Sequence, residues 1–310
     1  MALIKIVNPI YDLVFKYLMD NNRIAKKIVS SVIDMDVLEL EVQANDSTYI
    51  NEQFGLQLLR YDFKAKVQTK EGIKTILIEV QKSNSIDPIL RFRKYLGQAY
   101  MSSEIQINEK GEEEKVAHPI ISIYFLGYKM PEYPYPAILI DNAVIDVSTG
   151  EAIKTKNDFV RLLTHRCYIL QPRRPISHRV TALDKLLNLF YQSNETTANP
   201  ILEIEEDEYQ DETVLMEMIR SLHTLTQDEK MLKSMDLEEE VLTVIDKKDK
   251  MISEVTRDLE EERRQKEDER RQKEEERRQK EDERKQKEEA LKELELLRIQ
   301  IEALKKGAGN

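Results

Sequence analysis

The chain has 310 residues, of which 35% are charged and only 6% aromatic, a balance expected of an ordinary globular part diluted by a very polar one. The single Cys167 excludes an intrachain disulfide, and no apolar run approaches the roughly 18 to 20 residues that cross a bilayer. The net charge of −11 is local: residues 201–240 hold 14 acidic and 3 basic side chains, residues 241–310 sum to −1, and residues 1–200 are left at +1. The acidic balance therefore does not exclude a nucleic-acid substrate for the N-terminal part. With neither a secretory leader nor a spanning segment in view, the expectation is a soluble, cytoplasmic protein without a membrane partner.

Pro9 to Ile33 places apolar residues three and four apart, which predicts two amphipathic helices separated at Asn21-Asn22. Asp12 falls in the first turn, where a carboxylate interacts favourably with the helix dipole; Phe15 reads as core and Lys16 as the polar side. Val37 to Gln43 alternates strictly and predicts the first strand.

Tyr61 to Lys82 alternates on both sides of Thr69-Lys70-Glu71-Gly72 and reads as a β-hairpin. With a symmetric turn, Asp62 lies across from Glu79, and Gln81 shares the Glu79 face because side chains on a strand repeat every second residue. Opposed Cβ atoms sit roughly 4.5 to 5.5 Å apart, so two carboxylates and an amide oxygen converge into a hard donor set suited to Mg²⁺ or Mn²⁺. The same acids also fit the solvated side of a hairpin. The apolar run Ile76-Leu77-Ile78 around Glu79 favours a strand buried on at least one face, where a carboxylate needs a partner.

Ile89 to Ile105 predicts a helix with Leu90, Leu96, Tyr100 and Met101 inward, and with Arg91, Arg93 and Lys94 in its first turns, as a solvated face or as contacts for phosphate. Gly111 to Glu114 reads as a loop, Pro119 to Leu126 as a central strand, 128–136 as a loop, and Ala137 to Val147 as one or two edge strands. Asp158 to Leu170 and Arg179 to Tyr191 read as helices, the second after the basic loop Arg173-Arg174-Pro175. His118, His165, His178 and His223 lack zinc-like spacing, and with Cys167 they read as structural. Helices and strands in this order give a mixed α/β layer with a helical crossover.

The organisation expected is a domain over 1–198, an acidic helical segment over 199–250, and a charged heptad-repeat helix over 251–310. Val214 to Leu222 and Met231 to Ile245 read as acidic amphipathic helices. Residues 261–288 are four near-copies of one heptad, EERRQKE, DERRQKE, EERRQKE and DERKQKE, with no apolar side chain, so this block alone cannot drive association by burial. Ala290, Leu294, Leu297, Ile301 and Leu304 then form a short coiled-coil seam that could pair two chains as a homodimer or fold back on residues 251–259.

Four blocks in order, YDLVFKYL (11–18), YDFKAKV (61–67), ILIEVQK (76–82) and RFRKYLGQAY (91–100), make residues 1 to about 190 resemble the PD-(D/E)XK nuclease superfamily, and within it the Rpn-like recombination-promoting nuclease and putative transposase branch. The resemblance implies a restriction-endonuclease-like mixed sheet flanked by helices, and Mg²⁺-dependent hydrolysis of DNA phosphodiesters in proteins tied to mobile elements. It makes Asp62 and Glu79 the metal ligands and Asp12 an accessory acid. The superfamily lysine two residues after the second acid is Gln81 here, as in the Rpn-like branch; Lys64, on the Asp62 face, could substitute for it, and Arg91 or Arg93 could hold the phosphate. Two further readings stand beside the nuclease: a nuclease fold that binds nucleic acid or a partner without cutting, and a scaffold whose working part is the acidic and coiled-coil tail.

Overall fold

A hairpin of β5 (Phe63–Thr69) and β6 (Gly72–Gln81) forms the middle of the fold. Thr69 stands opposite Gly72 and Phe63 opposite Ile78, the register a symmetric turn demands. Gly72 closes the turn at φ +103°, a left-handed backbone that glycine adopts without a Cβ clash. The Thr69 hydroxyl donates to the Gly72 carbonyl at 2.9 Å and accepts the Glu71 amide at 3.2 Å, so the turn carries its own hydrogen bonds.

In this computed structural model the described residues are 3–43, 50–51, 56–57, 63–82, 86–108, 110–154, 157–176, 180–191 and 200–307. They form two units, 1–246 and 247–310. In the first, β2 (Glu39–Gln43) pairs antiparallel with β5, while β6 runs parallel to β9 (Ile120–Leu126). Parallel neighbours need a crossover, supplied here by α3 (Ile86–Met101) and the small hairpin of β7 (Glu104–Ile107) and β8 (Glu113–Val116). Beyond β9 comes β11 (His165–Leu170), also parallel, and then the antiparallel edge strand β10 (Ala137–Ile140). The six-stranded mixed sheet thus has the order β10-β11-β9-β6-β5-β2. A separate two-residue pair is formed by β3 (Ile50–Asn51) and β4 (Leu56–Gln57).

The sheet divides its side chains by parity. Ala65, Val67, Ile76, Ile78, Ile121, Ile123 and Phe125 point into the main core with α1 (Asp12–Asp20), α2 (Asn22–Ile33), α5 (Ala182–Phe190) and α6 (Thr213–Leu225). Leu77 and Ile120 face the other way, against Phe92 and Ala99 of α3. Covering both faces is why β6 and β9 read as nearly unbroken apolar runs. In the main core Phe125 lies 5.2 Å from the Phe15 ring and 4.9 Å from the Phe190 ring, joining α1 and α5 to the sheet.

Asn21 separates the first two helices as the sequence suggests. Its side-chain oxygen Oδ1 accepts the Arg23 and Ile24 amides at 3.1 and 3.3 Å, capping α2, and its side-chain nitrogen Nδ2 donates to Glu217 of α6 at 3.3 Å. A capping box of Thr181 and Asp184 starts α5.

Several expectations need correction. Residues 165–170 are a strand, not the second half of a helix: α4 (Asp158–Leu163) stops at the extended Thr164, and the rest completes the parallel ladder with β9. In α3, Leu96 packs inward as expected, but Met101 is 79% and Tyr100 39% exposed, and Phe92 with Ala99 makes the main contact; the side chain of Leu90 lies outside the described residues. The stretch read as a loop at 111–114 lies largely in the β7–β8 hairpin.

The first strand is β1 (Leu3–Val7), paired with β12 (Ile201–Glu205) from the far side of the chain. A 3-10 turn (Glu206–Tyr209) leads to α6, whose Leu215, Met218, Ile219, Leu222 and Leu225 are buried. The acidic segment set apart in the sequence is therefore acidic on one side only, and its apolar side completes the first unit up to residue 246. The chain ends in α7 (Glu229–Gly307), which is unbroken.

Two measurements check this architecture. Phe125→Ala, at a fully buried position, should lower stability by about 3 to 5 kcal/mol in urea unfolding. A chain ending at residue 246 should keep a cooperative thermal transition, whereas one ending at residue 200 should lose it.

Candidate active site

The three parallel strands β6, β9 and β11 bring their C-terminal ends to one edge of the sheet, the edge at which open α/β sheets bind ligands. Glu79 and Gln81 arrive there on β6, 2% and 3% exposed. Two-residue periodicity puts them on the α3 face with Leu77. Glu79 is level with Tyr124 of β9, whose ring Phe92 of α3 covers at a centroid distance of 4.5 Å.

From β5, Lys64 and Lys66 share this face. Lys64 is half-buried and opposite Leu77, hence a diagonal neighbour of Glu79, at roughly 7 to 8 Å between backbones. Lys66 pairs with Glu104, which His118 also approaches at 3.3 Å. The Lys66 ammonium, and behind it His118, hold the Glu104 carboxyl below its usual range. Arg93 is exposed on α3; the side chain of Arg91, and Asp62 entirely, lie outside the described residues.

The opposite face at the same edge holds a charged cluster that the sequence reading did not assemble. The Lys82 side chain is 7% exposed and lies 3.4 Å from the centroid of the Tyr11 ring. Its ammonium pairs with Glu238 and Glu239, the start of α7, at 3.1 Å each. Glu238 also accepts the Asp12 amide at 3.2 Å, and Glu239 accepts the Tyr11 hydroxyl at 3.3 Å. The first turn of α1, the end of β6 and the first turns of α7 are thereby fastened at one point. Gly127 makes room for it: its amide donates to the Gln81 carbonyl at 2.8 Å, and a Cβ there would come within 3.0 Å of the Lys82 backbone.

Burial dominates the electrostatics of this cluster. It pushes the Tyr11 phenol up, with Glu239 and Glu238 adding to the effect, and draws the Arg173 guanidinium down against the pull of Glu239. Burial also raises the Glu238 carboxyl, opposed by Lys82. Along the same edge Gln171, fully buried, donates to the carbonyls of Tyr133 and Tyr135 at 2.9 Å and accepts the Met130 amide at 2.7 Å, fixing the loop after β9. The only sequence signals for these residues were the polar pair closing an apolar strand and the run of acids from Asp236 to Glu240.

The donor set can be tested against a metal on its chemistry. Glu79 and Gln81 offer a carboxylate and an amide oxygen, hard ligands that fit Mg²⁺ or Mn²⁺. Among the described residues no group of three or more His, Cys, Asp or Glu could hold a metal ion. The expected second carboxylate, Asp62, is not among them. Also among the described residues, no helix is long and apolar enough to cross a membrane.

A cleft of about 440 Å³ lies at the other end of the sheet, lined among others by Lys74, Pro119, Asn157 and His165. Lys74 precedes Glu79 by five residues, roughly 17 Å along the strand, so this cleft is a different place from the candidate site. The chain matches no family model, no curated protein and no solved structure.

The Lys82 cluster gives a pH-dependent expectation. A Glu238 value above the ordinary 4.5 means that the native state holds this proton more tightly than the unfolded chain does. Its contribution to stability is therefore present at acid pH and lost as pH rises through the raised value. Relative to Glu238→Gln, the wild-type chain should lose stability as pH rises above 4.5, a slope that urea titrations at several pH values would measure. Lys82→Met, which strands the paired carboxylates, should cost about 3 kcal/mol or more at neutral pH.

Proposed function

We propose that the chain is a Mg²⁺- or Mn²⁺-dependent DNA endonuclease, as its resemblance to the Rpn-like PD-(D/E)XK nucleases implies, acting in recombination or on mobile elements. The observation that supports this most is Glu79, a carboxylate 2% exposed on a central strand, sharing its face with the equally buried Gln81 at the ligand-binding edge of the sheet. A carboxylate and an amide oxygen side by side are hard donors of the kind that bind such a cation.

Asp62 and Glu79 would hold the cation. The chemistry it supplies when bound is Lewis acidity toward a phosphate oxygen and a lowered pKa for water. Gln81 orients the attacking water through its amide, because a neutral side chain can donate and accept but cannot remove a proton. Lys64, on the same face, is the cation that stands in for the superfamily lysine. Lys82 is unsuited to that role, since its ammonium is committed to Glu238 and Glu239. Arg91 and Arg93 grip the phosphate with forked donors; the resemblance also makes Asp12 an accessory acid, although its backbone amide is bonded into the Lys82 cluster on the other face of the sheet.

The neutral Gln81 and the engagement of Lys82 favour one second reading, a nuclease fold that binds nucleic acid without cutting it. A plasmid-nicking assay with and without Mg²⁺ separates the two. The wild-type chain should nick only with metal, and Asp62→Ala or Glu79→Gln should reduce nicking at least about 100-fold, because outer-shell partners of metal ligands alone cost 10- to 100-fold. DNA binding without metal-dependent nicking supports the second reading, and nicking retained in either variant removes the metal assignment.

A further inference from the structure

The heptad block absorbed no part of the proposed function, yet it conserves a frame. Taking Ile252 and Leu259 as a positions and Val255 as d, the four heptads continue without slippage: every a is lysine (Lys266, Lys273, Lys280, Lys287) and every d is glutamate (Glu262, Glu269, Glu276, Glu283). The same frame then makes Leu294 and Ile301 a positions, and Ala290, Leu297 and Leu304 d positions. One seam therefore runs along α7, apolar at both ends and charged in the middle.

Where its apolar side chains are described, that seam is exposed. Ile252, Val255, Leu259 and Leu294 are 63%, 58%, 54% and 59% exposed. The apolar ends cannot cover each other within one chain, as the sequence alone left open, because α7 is one helix with no glycine or proline before Gly307. Ile252 and Leu297 lie on the order of 68 Å apart along it at a rise of about 1.5 Å per residue. A second helix carrying the same pattern would cover both.

We propose that this helix is that of a second copy of the chain, paired antiparallel about a two-fold axis between Lys273 and Glu276. In an antiparallel coiled coil an a residue shares its layer with a d residue of the other helix, and the pattern is complementary throughout. Ile252 meets the partner's Leu297, Val255 the partner's Leu294, and Leu259 the partner's Ala290. Moving inward, Glu262 meets the partner's Lys287, Lys266 the partner's Glu283, Glu269 the partner's Lys280, and Lys273 the partner's Glu276. One outer layer is mixed, Lys248 against the partner's Ile301, where the lysine stem covers the isoleucine and its ammonium reaches water.

A parallel pair keeps the apolar ends matched but sets lysine on lysine and glutamate on glutamate through four heptads, which is repulsive. The e positions are arginine (Arg263, Arg270, Arg277, Arg284) and the g positions glutamine. Antiparallel pairing sets e beside e, arginine near arginine, and parallel pairing sets arginine beside glutamine, so the flanks oppose the antiparallel choice and the opposite charges of the a and d layers at the centre of the interface have to outweigh them. This inference does not rest on the nuclease reading.

The full chain should sediment as a dimer, twice the 36.5 kDa of one chain. A spin label on Arg257→Cys reports direction, since the buried Cys167 is shielded from the label. Antiparallel pairing sets Arg257 level with the partner's Lys292, so the twin labels are on the order of 50 Å apart; parallel pairing sets them abreast, within roughly two helix diameters. Glu276→Lys should weaken the dimer at least about tenfold by facing lysine with lysine, and adding Lys273→Glu should restore it. A monomer, abreast labels, or a dimer indifferent to Glu276→Lys each overturns the proposal.

Discussion

Lys82 brings a positive charge inside the protein where the central strand ends, and three elements distant in sequence depend on how that charge is satisfied. Glu238 and Glu239 reach it from α7 and the Tyr11 ring lies against it; Glu238 uses its other oxygen on the Asp12 amide, while the Glu239 oxygen that meets Lys82 also accepts the Tyr11 hydroxyl. Buried ion pairs are poor sources of net stability but costly to break, so this one acts mainly as a constraint. It fixes where α1 begins and how the first turns of α7 sit against the end of β6.

The parity of β6 then separates two tasks. Even-numbered residues from Ile76 to Val80 enter the main core and Lys82 continues that face into the ion-pair cluster, while Leu77, Glu79 and Gln81 look toward α3. A structural charge and a candidate catalytic carboxylate, three residues apart, are thus insulated from each other by the thickness of the sheet. Lys82 can be fully engaged without competing for Glu79, and the polar neighbour that shares the Glu79 face is Gln81.

What could be read in the sequence was local. The β5–β6 register followed from the turn and alternation, the break between α1 and α2 from Asn21, and β10 falls at the sheet edge within the stretch read as one or two edge strands. Non-local pairing hid the rest. β1 and β12 lie almost two hundred residues apart and become strands only through each other. His165 to Leu170 carries periodicity compatible with a helix and is held extended by its ladder to β9. Of the candidate site, Glu79 and Gln81 were legible because strand parity is a two-residue rule, but Tyr11 with Glu238 and Glu239 was not. Nothing in the sequence indicates that an acidic helix will return to meet a lysine more than a hundred and fifty residues earlier.

Asn21 uses both halves of its amide, the oxygen capping α2 and the nitrogen bonding Glu217 of α6. Slow hydrolysis of that amide to a carboxylate would leave the cap intact, since an oxygen still faces the Arg23 and Ile24 amides. It would also replace the donor to Glu217 with a second negative charge. Chemical ageing at this residue would therefore spare the helix it starts and loosen the contact with α6, a form of damage that a helix-content measurement overlooks.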